Sequence, residues 1–513
     1  MSTNSINFKN CLGIELGSTR IKAVLIDNQF NPVSSGDYTW KSSYENKIWT
    51  YSLDEVWKGL NAALEGQDLS SVDAMGISAM MHGYLAFDSD WNLLVPFRTW
   101  QNTITGEAAA KLTELFNFNI PQRWSIAHLC QAVMNKEEHI SKIAHITTLA
   151  GYVHYMLTGV NAVGIGEASG IFPINSDTLN YDDDMLDKFD GLLAEMNFSG
   201  KIRDILPAVL TAGNEAGRLT EKGAGLLGGK LSAGIPFAPP EGDAGTGMTA
   251  TNSVAAGTGN VSAGTSVFSM IVLDKALSKV YPEIDMVTTP TGKPVAMVHC
   301  NNCTNDMNAW VNILKETVSL MTGTEVSNDI FTKLYEKSLD GDADCGNITV
   351  YNYLAGESVT HFDEGRPMVI RNAESKFNLA NLIRSMLYST ISTLRIGMDI
   401  LSEEGVRIDS LTGHGGLFKT PVVGQKYLAA ACKAPVTVMK TAGEGGPYGM
   451  ALLAAYILSD SSVTLEQYLN ENVFSKAEVS VLKPDKTDVD GFNTYIERYK
   501  NGLEAEKAAV NFL

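Results

Sequence analysis

Asp243 stands in Glu241-Gly242-Asp243-Ala244-Gly245-Thr246-Gly247, a carboxylate among small residues that let two reactants come close. Transfer of a phosphoryl group to an alcohol needs such a group, placed to take the hydroxyl proton as the bond to phosphorus forms. A helix N-cap is the other job that suits an Asp ahead of small residues, and the local sequence accommodates both. Two turns of glycine and hydroxyl residues, Gly17-Ser18-Thr19 and Gly264-Thr265-Ser266, are the second chemical feature. Backbone N–H groups at such turns converge on an anion, because no bulky side chain intervenes. Neither turn is a Walker A loop, and Gly257-Thr258-Gly259 lacks the third glycine of a dinucleotide fingerprint. Each turn alone is better explained as a plain hairpin turn; finding both makes a shared phosphate cleft more credible. Glu15, just ahead of Leu16-Gly17, is placed to hold Mg²⁺ against nucleotide phosphates, and a solvated acid at a strand end is its plain alternative. Arg20 and Lys22 either add positive charge there or face solvent.

The elements that must position these groups are legible in outline. Residues 11–15 and 21–27 read as strands joined by the first turn, and 260–263 and 267–272 as strands joined by the second. The chain thus shows strand, glycine-hydroxyl turn, strand twice, about one domain length apart. Residues 72–78 read as another strand, followed directly by Met80 to Gly83. Helices are expected at 106–116, 129–135, 147–157, 379–401 and 448–458, with a strand at 408–412 ahead of Gly413-His414-Gly415-Gly416. A last glycine turn, Gly443-Glu444-Gly445-Gly446, opens the final apolar helix; beyond Ser459 the pattern is mixed.

At 513 residues the chain exceeds what one hydrophobic core serves, so two domains are expected, 1–246 and 247–513. The net charge of -19 excludes a nucleic-acid or anionic-membrane surface, which needs clustered Lys and Arg. With no apolar run of membrane-spanning length and a polar start, the sequence reads as cytoplasmic. Its six scattered cysteines suit reduced thiols; Cys300 and Cys303 form a C-x-x-C, but without a second pair they read as buried or pocket-lining rather than as a zinc or redox site.

In family order, these motifs resemble the FGGY family of carbohydrate kinases over about Cys11 to Leu458. The segment Leu12-Gly-Ile-Glu-Leu-Gly-Ser-Thr resembles its first phosphate motif, Gly242-Asp243-Ala244-Gly245 its catalytic aspartate motif, and Gly264-Thr265-Ser266 its second phosphate motif. Met81-His82-Gly83 resembles the sugar-contacting segment of xylulokinases, and Trp100-Gln101-Asn102 stands where they carry a further sugar triplet. Glu167-Ala168-Ser169-Gly170 resembles the segment after the helical insertion. Gly413-His414-Gly415-Gly416 and Gly445-Gly446 resemble the adenosine-binding turns. The resemblance implies an α/β fold of two ribonuclease H-like domains, as in actin and hexokinase, with ATP and sugar in the interdomain cleft. It implies a Mg²⁺- and ATP-dependent kinase of a small ketose, D-xylulose first and L-ribulose next, with other ketoses and polyols open; a homodimer is common in the family. Two departures stand out: Glu15 where the family usually has Asp, and Asn102 where the triplet usually ends in Asp. An actin- or Hsp70-like ATPase without a sugar is the rival, and the sugar-side motifs argue against it. His299, Asn301, Asn302, Asn305 and Asp306 form a further polar cluster to which the sequence assigns no role.

Overall fold

Runs of Leu, Ile and Val on either side of the Gly17–Thr19 turn form β1 (Asn10–Leu16) and β2 (Arg20–Asp27), which pair antiparallel from Asn10↔Asp27 to Leu16↔Ile21. Both strands are buried on both faces over most of their length, as their unbroken apolar character requires. β3 (Pro32–Thr39) alternates between exposed and half-buried residues and closes that edge. On the other side β4 (Val72–Ala79) runs parallel to β1, and the two-residue β5 (Glu241–Gly242) runs parallel to β4. The sheet order is therefore β3-β2-β1-β4-β5. The coordinates are a computed structural model, which describes residues 8–439 and 445–513.

The same plan recurs around the second turn. β6 (Thr258–Ala263) and β7 (Val267–Val272) pair antiparallel, with β8 (Pro294–Cys300) beyond β7. β9 (Ser410–His414) and β10 (Val436–Met439) continue in parallel from β6, and β11 (Val479–Leu482) adds an antiparallel edge. The order β8-β7-β6-β9-β10 repeats that of the first sheet, so the duplicated device at the two turns is a duplicated fold.

The chain clusters into two units: Met1–Ala255 with Met286–Val295 and Glu444–Ala477, and Ala256–Asp285 with Ala296–Gly443 and Glu478–Leu513. This clustering breaks first at Ala255/Ala256 and returns twice to the first unit, beside the expected division at 246/247. The second return is a packing requirement. Helix Gly445–Tyr456 lies so close on β1 and β4 that a Cβ at Gly13 would sit 2.0 Å from Pro447 O, and one at Gly76 2.3 Å from Met450 Cε. Around this contact the first core gathers Leu12, Ile14, Met75, Ile77, Leu85 and Phe237, all buried. In the second unit the 25-residue helix Leu379–Glu403 is buried along most of its length. The tail supplies a 27-residue helix, Lys486–Phe512, that packs Phe492, Tyr495, Ile496 and Tyr499 inward.

Candidate active site

Sheet register collects the acidic groups of the first unit. Glu15 of β1 lies opposite Ser78 of β4, and Ser78 lies opposite Glu241 of β5, so three strands end together. Asp243 follows one residue past β5, at the C-terminal edge where α/β sheets present ligands. It is the first residue of helix Asp243–Ala250, whose N-cap is Gly242, so Asp243 is not itself the N-cap. Its Oδ1 accepts from the N–H of Met81 at 3.1 Å and of Ala244 at 3.0 Å. The surrounding protein pushes its pKa upward while those two N–H groups pull it back. Its side chain remains exposed to solvent, where a substrate hydroxyl could reach it.

Glu15 is half-buried; desolvation first, and the charge of Asp243 second, raise its pKa to about 8, with Lys22 opposing. Glu241 is buried and pushed to about 8 by desolvation, although the N–H groups of Gly166 and Glu167 donate to it at 3.3 and 2.9 Å. Glu167, fully buried, is raised well above the ordinary carboxyl value by desolvation, and by Glu241 and Asp243, with the Thr148 hydroxyl opposing. The sequence marks Glu167 only as part of a segment and assigns Glu241 no role; Glu167 between Gly166 and Gly170, and Glu241 beside Gly242, are the available signal.

Met81 is buried, and its side chain fills the space that a Cβ at Gly242 or Gly170 would need. His82 is also buried, with φ 72°, and its Nδ1 lies 3.3 Å from Gly170 O; a carbonyl only accepts, so Nδ1 carries the proton in that contact. Gly83 follows at φ 93°, where a Cβ would meet Phe97 Cε2 at 2.7 Å, so glycine is required. Its N–H donates to Arg123 O and its carbonyl accepts from Ser125 Oγ at 2.5 Å, which fixes the segment. Trp100 is partly exposed and its Nε1 donates to Ser18 Oγ at 3.2 Å. Asn102 is buried with its amide occupied: Oδ1 accepts from Trp49 N, and Nδ2 donates to Trp49 O and Thr99 O.

In the first turn the Gly17 N–H closes on Arg20 O, while the N–H groups of Ser18 and Thr19 have no acceptor among the described residues. Arg20 is drawn off to Asp37 on β3, at 3.2 Å. Gly446 is set beside Glu15, 2.1 Å separating its notional Cβ from Oε1, so a side chain there would displace the carboxyl. Gly445 opens the same helix at φ 67°; Gly443 and Glu444 lie outside the described residues.

In the second unit Gly264 N–H closes on Ser266 O, again leaving the N–H groups of Thr265 and Ser266 without an acceptor among the described residues. Gly415, at φ 98°, lies against the end of β6, where a Cβ would be 2.5 Å from Ala263 O; Gly416 follows it into a short helical turn. Beyond that turn is a cavity of about 370 Å³ walled by Phe418, Pro421, Val422, Val438 and Val479, with Gln425 among its polar groups. Asn301 and Asn302 donate their N–H groups to the buried carboxylate of Glu357, which desolvation raises to about 7. Asn302 Oδ1 in turn accepts from the N–H groups of Leu354 and Ala355, so much of the 299–306 cluster is a structural knot. All six cysteines are free, and burial raises the Cys300 and Cys303 thiols. Among the described residues no group of three or more His, Cys, Asp or Glu is arranged to hold a metal.

Two family models match the chain: the N-terminal domain of the FGGY family of carbohydrate kinases over residues 10–249, and its C-terminal domain over 259–458. A xylulose kinase of Haemophilus influenzae is 22% identical over 520 residues, 96% of this chain and 99% of that protein. A xylulose kinase of Escherichia coli is 22% identical over 480 residues, 89% and 92% of the two chains. Among solved structures, a ligand-bound xylulose kinase from Lactobacillus acidophilus shares the fold with a TM-score of 0.78 at 17% identity, covering 98% of this chain and 100% of the other. Since the two models together account for most of its length, the chain belongs to the FGGY family of carbohydrate kinases.

Proposed function

We propose that this carbohydrate kinase transfers the γ-phosphoryl group of ATP to a hydroxyl of a small ketose, D-xylulose first and L-ribulose second, with Asp243 as the base. The observation that carries the assignment is the Asp243 carboxylate, with one oxygen anchored by Met81 N and Ala244 N and its side chain exposed. The sugar oxygen bonds to the γ-phosphorus, the bond from phosphorus to the ADP oxygen breaks, and the hydroxyl proton passes to the carboxylate. Ser18, Thr19, Thr265 and Ser266 offer the open N–H groups for phosphate oxygens. Gly415-Gly416 and Gly445-Gly446 are proposed to give the nucleotide close backbone approach, and the apolar cavity past Gly415 suits a flat base. Met81, His82, Gly83 and Trp100 are proposed for the sugar, with Asn102 holding their surroundings through Trp49 rather than touching it.

Glu15 and Asp243 fit a divalent cation: each disfavours the other's ionised form, and the charge repulsion that helps raise Glu15 is what a cation would remove. Mg²⁺ commonly takes one or two carboxylates and fills its shell with water and phosphate oxygens. When bound, it would offset the charge of the nucleotide phosphates. D-xylulose leads because the long-range relatives reported above are xylulose kinases. A cytoplasmic homodimer is carried forward on family grounds alone; no described helix is long and apolar enough to cross a membrane.

A coupled ADP-release assay over pentuloses, hexuloses and polyols tests the substrate. D-xylulose should give a kcat/KM about ten-fold or more above L-ribulose, the size of discrimination that a few hydroxyl contacts supply. A reversed ranking would select the runner-up. ADP release that no sugar stimulates would instead favour a sugar-independent ATPase.

A further inference from the structure

The Gly17–Thr19 turn is held by its carbonyl groups. Trp40 Nε1 donates to Gly17 O at 2.7 Å, the Tyr51 phenol donates to Ser18 O at 2.7 Å, and Trp40 N donates to Thr19 O at 3.1 Å. Trp100 Nε1 adds its contact to Ser18 Oγ at 3.2 Å. In a planar trans peptide the carbonyl of one residue and the N–H of the next point in opposite directions. Holding Gly17 O therefore aims the Ser18 N–H, and holding Ser18 O aims the Thr19 N–H. These are the two N–H groups of the turn that have no acceptor among the described residues.

The donors are well suited to the task. Trp40 and Tyr51 are buried and packed on one another, with ring centroids 4.4 Å apart, so neither can swing away without disturbing the core. Trp100 accounts for one lone pair of the Ser18 hydroxyl and leaves its hydrogen available to donate. The second turn reaches the same arrangement with other donors. Thr304 N and Oγ1 donate to Gly264 O at 3.1 and 2.7 Å, and Cys303 N donates to Thr265 O at 3.1 Å. There too the unpartnered N–H groups, of Thr265 and Ser266, belong to the peptides whose carbonyls are held. A flipped peptide in either turn would present a carbonyl oxygen to an anion, a repulsive contact in place of a donor.

We infer, resting on the kinase reading above, that Trp40, Tyr51 and Trp100 are positioning residues for phosphoryl transfer: an aromatic clamp that presents the Ser18 and Thr19 N–H groups and the Ser18 hydroxyl to the nucleotide phosphates. Trp100 also joins this clamp to the sugar-side segment, since Thr99 beside it donates to Trp49 O, and Asn102 bonds the same residue. One indole therefore serves both ends of the transfer.

The test is steady-state kinetics of Tyr51→Phe, Trp100→Phe, Ser18→Ala and the Ser18→Ala/Trp100→Phe double variant, varying ATP and the ketose separately, with thermal midpoints recorded alongside. Tyr51→Phe removes one oxygen and should lower kcat/KM for ATP about three- to ten-fold, the worth of one hydrogen bond. Its KM for the ketose should stay within about two-fold of the parent, a split that a purely structural defect would not produce. Trp100→Phe should lose about three-fold toward ATP, and that loss should vanish in the Ser18→Ala background. ATP kinetics at parental values in both single variants would overturn the clamp, whatever the thermal midpoints do. So would a Trp100→Phe effect confined to the sugar and undiminished by Ser18→Ala. If Tyr51→Phe fails to fold, the Trp100 cycle decides alone, because that side chain is 37% exposed. Should the parent phosphorylate no ketose, the kinase reading fails on its own, and ADP affinities of the same variants by calorimetry still decide the clamp.

Discussion

Asn102 bonds the backbone of Trp49 on both sides: Oδ1 accepts at 2.8 Å from the N–H, and Nδ2 donates at 2.8 Å to the carbonyl and at 3.0 Å to Thr99 O. An ionised aspartate only accepts, so the residue usual in the family would here set a carboxylate against two carbonyl oxygens at a site 2% exposed. Asn102→Asp should therefore destabilise the protein by about 2–4 kcal/mol, the range for a buried polar group that loses its partners. Denaturant unfolding measures it, and an unchanged midpoint would show that Asn102 is not the tie described. The sequence flagged position 102 through the resemblance, but its partner stands fifty-three residues earlier with no local pattern to link them. Arg20 was likewise legible as a charge next to the turn, and only the strand pairing of β2 with β3 reveals Asp37 as its neighbour.

At the level of elements, the strands were readable because alternation and apolar runs are local properties. The strand at 267–272 and the helix at 106–116 fall where periodicity put them. The helix Lys486–Phe512 was not recognised. Its inward residues are spaced for a helix, yet charged residues fill the positions between them and lower the apolar signal of any window. Equally hidden was the contact of helix Gly445–Tyr456 with β1, where a Cβ added at Gly13 would lie 2.0 Å from Pro447 O and 2.4 Å from Ala451 N, both backbone atoms that cannot step aside. Gly13→Ala should cost about 2–4 kcal/mol through overpacking. Because Glu15 lies two residues on, the same change should depress turnover. Thermal unfolding together with kcat checks this, and a fully stable, active Gly13→Ala protein would contradict the close packing.

At the scale of the whole molecule, two fully buried histidines predict how stability depends on pH. Desolvation lowers the pKa of His128 to about 3 and of His154 to about 4, below the ordinary value near 6.5. The unfolded chain then takes up protons that the folded chain refuses, so stability is full above about pH 6.5 and is lost as pH falls toward those values, at about 1.4 kcal/mol per pH unit for each group. Among the described residues neither ring nitrogen of His128 has a hydrogen-bond partner. His128→Leu should therefore leave the neutral midpoint unchanged or higher and flatten the loss between pH 6.5 and 4. The difference between the two proteins isolates the histidine, because Glu15 and Glu241, with raised pKa values, act with the opposite sign as pH rises. Equal acid slopes for both proteins would refute the prediction. The central claim is that this family fold delivers a sugar hydroxyl to Asp243, and ketose-dependent ADP release by Asp243→Asn tests it most directly. The account predicts a fall in kcat of about 10²–10⁴, the usual worth of a general base, with ADP still bound; near-parental turnover in that variant would contradict it.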